Sequence, residues 1–405
     1  MASPSASVAP TPERSAATSA SPAISAAGSP NGADQAVYAA IESQVEAIRR
    51  LRPKTTVTPV LLDSKGVRDW LTKANAEQTN HQALADESRL FIHLGLLPAG
   101  SSLEQMELDL EAGQVIGFYD TVSKGLYVLS ESGGIGPTEK LIFSHEYTHA
   151  LQDQNFGLDK LAVDTPDQGD RDLARTALAE GDATLEMRLW MQKNLSMAEI
   201  LALAGDLGGS QDDQLAQAPA ILRETLLWPY DAGLTFVQGI YRKGGWAAVD
   251  KVYANPPAST SQILHPDLYT AGVMPVAVTV PAVPVQLGSG WKRTMQDTMG
   301  ELQLRIWLEG ESPGSEATTA AATGTSSWGG DRIGLYEGPN GAWAVVLHTA
   351  WRSEDGATAF SAAANKRLDA LGEQFRVCGD STHVNVAIAS SEPLVPEFID
   401  CNTMG

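Results

Sequence analysis

Cysteine is nearly absent: the 405-residue chain has only Cys378 and Cys401. Two thiols are too few for a disulfide framework and cannot alone make a four-cysteine zinc site, so the fold must rest on an apolar core. Basic residues are also scarce, with 28 Lys and Arg against 49 Asp and Glu and a net charge of −21. A surface this negative repels phosphate backbones and anionic lipid, which argues against nucleic-acid binding and peripheral membrane attachment. No run of about 18 apolar residues is free of proline or charge, so no transmembrane helix is expected. There is no Gly-x-x-x-x-Gly-Lys-Ser/Thr phosphate loop and no Gly-x-Gly-x-x-Gly after a strand. A single Gly-x-Ser-x-Gly match, Gly310 to Gly314, follows a helix and reads as coincidence, because a nucleophile elbow needs a strand before its serine.

The first 33 residues are mostly Ala, Ser, Pro, Thr and Gly, with Glu13 and Arg14 the only charges. Such a tract cannot bury enough apolar surface to offset its ordering entropy and is expected to be a disordered linker. Tracts of this kind often tether secreted domains to a membrane or wall. The expectation is an exported protein, extracellular or at the cell surface or periplasm, with its signal outside the present chain. Pairing of Cys378 with Cys401 would favour export; two buried free thiols are the alternative.

Periodicity predicts a helix over 33–51, with Val37, Ile41, Val45 and Ile48 on one stripe, and a strand over 55–62. Short helices follow to about residue 113, then a hairpin of 115–119 and 125–129. Long helices are expected over 138–155 and 171–192, followed by helices at 196–203, 218–241 (kinked at Pro229) and 245–253. Residues 261–266 look loop-like, and 273–285, broken by three prolines, extended. A helix over 294–308 closes this part, and 310–327 reads as loose. Strands at 333–336, 343–347, 374–377 and 383–389, with a helix over 353–371, form a small C-terminal α+β unit. The expected organisation is thus a mostly helical α+β domain over 34–310 with a small mixed sheet, and a subdomain over 328–405.

The chemistry concentrates in Ser144-His145-Glu146-Tyr147-Thr148-His149. On a helix, His145 and His149 stand one turn apart on one face and can reach the same ion. Neutral imidazoles suit zinc, and Glu146 is placed to take a proton from a water on the metal. A catalytic zinc usually takes three protein ligands, so a third is sought nearby. Glu180, between Ala, Leu and Gly on the next helix, should not enter a core without a partner, and a metal ion is one. Asp172, Asp182 and Glu186 compete for the role. Asp153 and Asp182 are candidates to accept a ligand histidine's free N–H.

This His-Glu-x-x-His motif with Glu180 on a later helix resembles the gluzincin metallopeptidases, the class that includes the thermolysin relatives, and resembles secreted bacterial zincin-like proteins. The likeness covers 115–192, about a fifth of the chain. It departs from thermolysin relatives at the third ligand, which sits in Ala-Glu-Gly-Asp-Ala and not in Asn-Glu-x-x-Ser-Asp. The resemblance implies one zinc ion per chain on His145, His149 and Glu180, Glu146 as general base, and a peptide or protein substrate. An oxyanion donor is also needed; by type and context His265 is the first choice and Tyr269 the second. In zincins an edge strand beside the metal helix pairs with extended peptide, which assigns that task to 125–129. The rival readings are a catalytically silent zincin used for binding and a closed structural zinc site.

Overall fold

The computed structural model describes residues 32–401, except 79, 115–116, 130–134, 162–164, 210–212, 312–314 and 400. The expected linker up to residue 31 lies outside the described residues. The chain is α+β. Its first part runs α1 (Gly32–Arg49), β1 (Pro59–Leu62), α2 (Ser64–Gln78), α3 (His81–His93), α4 (Leu103–Gln114), β2 (Gly117–Asp120) and β3 (Gly125–Leu129). Then come α5 (Pro137–Phe156), α6 (Leu158–Leu161), α7 (Gly169–Asn194), α8 (Met197–Gly209), α9 (Asp213–Gln217), α10 (Ala220–Gly244), α11 (Trp246–Ala254), α12 (Thr260–Leu264) and α13 (Pro266–Thr270). The last part comprises β4 (Lys292–Asp297), α14 (Gly300–Glu309), α15 (Ser315–Thr325), β5 (Trp328–Glu337), β6 (Trp343–Trp351), α16 (Glu354–Leu371), β7 (Gln374–Gly379), β8 (His383–Ala389) and α17 (Val395–Phe398).

Two sheets result. In the smaller, β1 runs parallel and β2 antiparallel to a central β3. The strand 125–129 is therefore not the free edge that the sequence suggested, because both its sides are taken. The outer strands are β1 and β2, and the Tyr119 N–H of β2 points toward α5. The larger sheet is antiparallel throughout, in the order β4-β5-β6-β8-β7.

Three local expectations are corrected. Residues 292–297 form β4, paired with β5, and the helix expected from 294 begins only at Gly300, whose φ of +70° breaks the chain direction. The stretch read as loose holds α15, an Ala/Thr helix whose Ala321 is buried in the main core. The loop-like 261–266 contains α12, capped by the Ser259 hydroxyl accepting from the Gln262 N–H, followed directly by α13. By contrast, the proline-broken 273–284 joins no helix or strand.

One apolar core runs from Leu90 on α3 through Leu178, Phe236 and Trp307 to Ile388 on β8. The C-terminal sheet therefore packs directly on the helical layer. β4 and α14, which precede residue 310, take part in this packing. A second core, Tyr38, Ile41 and Val45 with Phe143, Tyr147 and Leu151, fixes α5 between α1 and the small sheet. Cys378 and Cys401 are disulfide-bonded across 23 residues. Among the described residues, no helix is long and apolar enough to cross a membrane.

Candidate metal centre

Helix α5 starts with Pro137 at its first position and Glu139 in its first turn, and stops at Gly157 in a left-handed conformation. Every residue from Leu141 to Asp153 is buried, so this helix is enclosed on all sides and its polar side chains must find partners inside the protein. His145 and His149 find each other and Glu180. Their Nε2 atoms lie 3.0 Å apart. Glu180 Oε2 is 3.1 Å from His145 Nε2 and 3.4 Å from His149 Nε2. The three are the one His/Cys/Asp/Glu group among the described residues whose ligand atoms converge, all within 4.8 Å of one another.

The tautomer of His149 follows from its neighbours. Gln152 donates its Nε2 to Ala179 O at 3.0 Å, which turns Oε1 toward His149 Nδ1 at 2.9 Å. An amide oxygen only accepts, so Nδ1 carries a proton and Nε2 is the ring atom that faces Glu180 and His145. Gln152 thus performs the orienting task expected of Asp153 or Asp182. His145 Nδ1 has no hydrogen-bond partner among the described residues.

The electrostatics fit a cation. Burial alone would raise the Glu180 pKa, but the charge of His149 and hydrogen bonds from both histidines bring it down to about 2. The carboxylate is therefore held ionised although the residue is buried. For His149, burial favours the neutral ring while Glu180 outweighs it and pushes the pKa up; burial lowers that of His145. The Glu180 carboxylate thus favours a proton on the imidazole beside it. A divalent ion on the same three atoms would replace that proton, and the donor set of two imidazoles and one carboxylate suits zinc.

Glu146 follows His145 and reaches β2, where the Tyr119 N–H donates to its Oε2 at 3.0 Å. Burial raises its pKa to about 8. Gly117 is needed beside it, because a Cβ there would stand 2.9 Å from Ile142 Cγ2 and 3.2 Å from Tyr127 O.

Sequence reasoning missed Tyr230, from α10. Its hydroxyl bonds Glu180 and its ring centroid lies 6.1 Å from that of His145. Burial, then the charges of Glu180 and Glu146, hold its pKa well above the ordinary tyrosine value, so it remains a hydrogen donor. The reason it reaches the site is a backbone contact between two helices. A Cβ on Gly181 would sit 2.1 Å from the carbonyl carbon of Gly233, and one on Gly233 would sit 2.0 Å from Ala177 O. Only glycines allow α7 and α10 to approach this closely, and Tyr230 lies one turn before Gly233 as Glu180 lies one residue before Gly181.

The other candidates are placed elsewhere. His265 Nε2 is 2.8 Å from Glu301, and the Tyr269 hydroxyl donates to Asn255 O at 2.8 Å, so neither is given a contact with the three ligands. Asp182 accepts from Arg49 at 2.7 and 2.9 Å and from Tyr253 at 2.7 Å. Asp153 accepts from Tyr119 at 2.8 Å and pairs with Lys124 at 2.8 Å. Glu186 accepts from Thr148 at 3.2 Å, and Asp172 accepts from the Thr165 N–H at 2.6 Å. The glycine pair at 329–330 lies within strand β5, and Asp331 there accepts from the Met299 and Gly300 amides.

Compared with known proteins, residues 286–392 match the model of a domain of unknown function, DUF8575. That span begins before β4 and ends after β8, so it covers the larger sheet and none of the metal-centre residues. Comparison with curated proteins and with solved structures gives no significant match.

Proposed function

We propose that this chain is a zinc-dependent peptidase with a zincin-like core of the gluzincin type. The observation that carries the proposal is the convergence of two imidazoles and a carboxylate beside a buried, backbone-pinned glutamate. His145, His149 and Glu180 would hold the ion. Zinc bound there would supply a Lewis acid and bring the pKa of a water toward neutrality.

The remaining work belongs to the chain's own groups. Glu146, held at Oε2 by the Tyr119 amide, takes a proton from the attacking water and delivers it to the leaving amine. Tyr230 donates to the oxygen on which negative charge develops, the task the sequence assigned to His265 or Tyr269. Switching from Glu180 to that oxygen costs little, because the ion neutralises Glu180. A buried base serves hydrolysis and has no purpose in a closed structural site, which is why the catalytic reading stands ahead of its rivals. The disulfide accords with an oxidising compartment, so the proposed location is outside the cytosol.

The test pairs two variants with metal analysis. Glu146→Gln is expected to retain zinc and lose turnover of a mixed peptide library, whereas Glu180→Ala loses the zinc itself. Zinc-loaded wild type that cleaves nothing between about pH 5 and 9 would refute the catalytic reading in favour of a silent zincin.

A further inference from the structure

A narrow cleft opens onto His149 and Glu180. Its walls are Tyr119 and Thr121 from the β2–β3 hairpin, Leu158 from the start of α6, and Thr176 and Ala179 from α7. Thr176 lies one helical turn before Glu180, so the two share a face. Two hydroxyls of this lining are already used. The Tyr119 hydroxyl donates to Asp153 at 2.8 Å, and the Thr176 hydroxyl donates to Asp172 O at 3.1 Å. Asp153 is neutralised in turn by Lys124, 2.8 Å away.

Apart from the Thr121 hydroxyl and the His149 and Glu180 side chains, what the cleft offers an incoming group is ring carbon, methyl and methylene. A long charged side chain entering it would lose most of its water. Size limits entry further, because the enclosed space beside the ligands takes about one water-sized group. A methyl or hydroxymethyl fits; an aromatic ring does not. Resting on the peptidase reading above, we propose that this cleft receives the side chain next to the scissile bond and selects glycine, alanine or serine there.

Binding without turnover tests this directly. Glycine, alanine, leucine, phenylalanine and lysine hydroxamates are titrated calorimetrically into the zinc-loaded Glu146→Gln protein, and the bonds that wild type cleaves in a peptide mixture are mapped by mass. Glycine and alanine hydroxamates are expected to bind at least about tenfold more tightly than the phenylalanine and lysine compounds. Cleavage should fall beside small residues. Leu158→Ala, or Thr176→Ala if the first variant folds poorly, should bring leucine hydroxamate toward the alanine value with zinc content unchanged. Phenylalanine or lysine hydroxamate binding as tightly as alanine would overturn the proposal. Protein that takes up no zinc overturns the peptidase reading beneath it, and metal analysis distinguishes the two failures.

Discussion

Gly181→Ala should destabilise this protein, although alanine is the better helix former. In α7 the new Cβ would meet three backbone atoms of α10: Gly233 C at 2.1 Å, Gly233 O at 2.2 Å and Leu234 N at 2.7 Å. Backbone cannot rotate aside as a flexible side chain can, so the helices must part by roughly an ångström or more to regain ordinary contact. Overpacking of this kind costs about 1–3 kcal/mol. Better helix propensity returns up to about 1 kcal/mol, leaving a net loss of up to about 2 kcal/mol. The internal control is Gly239→Ala in α10, where a Cβ would meet nothing within 4 Å and the propensity gain of up to about 1 kcal/mol stands alone. Urea unfolding of both variants measures the sign directly. Because Glu180 directly precedes Gly181, parting the helices also displaces its carboxylate, so zinc affinity should fall in Gly181→Ala and not in Gly239→Ala. If the two variants are equally stable and bind zinc equally, the close crossing of α7 and α10 does not build the site.

Three further outcomes are expected. Tyr230→Phe should retain zinc and lose about 100- to 1,000-fold in kcat, while Tyr269→Phe stays near wild type; steady-state kinetics with metal analysis checks both. Arg49→Met should cost about 3–5 kcal/mol, because it leaves the fully buried Asp182 without its bidentate partner; the Arg49→Met, Asp182→Leu double variant should recover most of this in the same unfolding assay. Burial, with Arg89 nearby, lowers the pKa of His93, stacked 3.7 Å from Trp343, to about 4. The unfolded chain therefore binds a proton below about pH 6.5 that the folded chain refuses. Stability from this residue is full above that pH and declines as the pH falls toward about 4, and His93→Phe should flatten that part of the stability–pH curve.

The parts of the site that were legible share one property: their geometry is set by spacing within single helices. His145, Glu146 and His149 follow from one helical period, and Glu180 stood out as a charge among small apolar neighbours. Both helices appear within two residues of their expected ends. Tyr230 carried no such signal, since its place depends on which helices cross and how closely. The clue was indirect, namely Gly181 and Gly233 inside long helical stretches, where each costs about 1 kcal/mol unless a backbone contact requires it. His265 and Tyr269 were chosen by residue type in a loop, and loop type does not encode where a loop lands. The missegmented 292–310 region has the same origin. Lys292–Asp297 has no alternating apolar pattern, and its strand character comes from the ladder with β5, a partner more than 30 residues away.

A further consequence concerns why α7 is so polar at its centre. Glu180 and Asp182 stand two residues apart and so face different sides of the helix. Glu180 meets α5 and Tyr230 of α10, while Asp182 meets Arg49 at the end of α1 and Tyr253 of α11. Arg49 also bonds Asp250 and lies 4.5 Å over the Trp246 ring. Every side chain of this second cluster has its partners within the protein, so it has none to spare for a ligand. Its effect is to fix the rotation of α7 about its own axis, and with it the direction in which Glu180 points. A metal ligand on a helix needs that constraint, because turning the helix by one residue, 100°, would carry the carboxylate out of reach of both imidazoles.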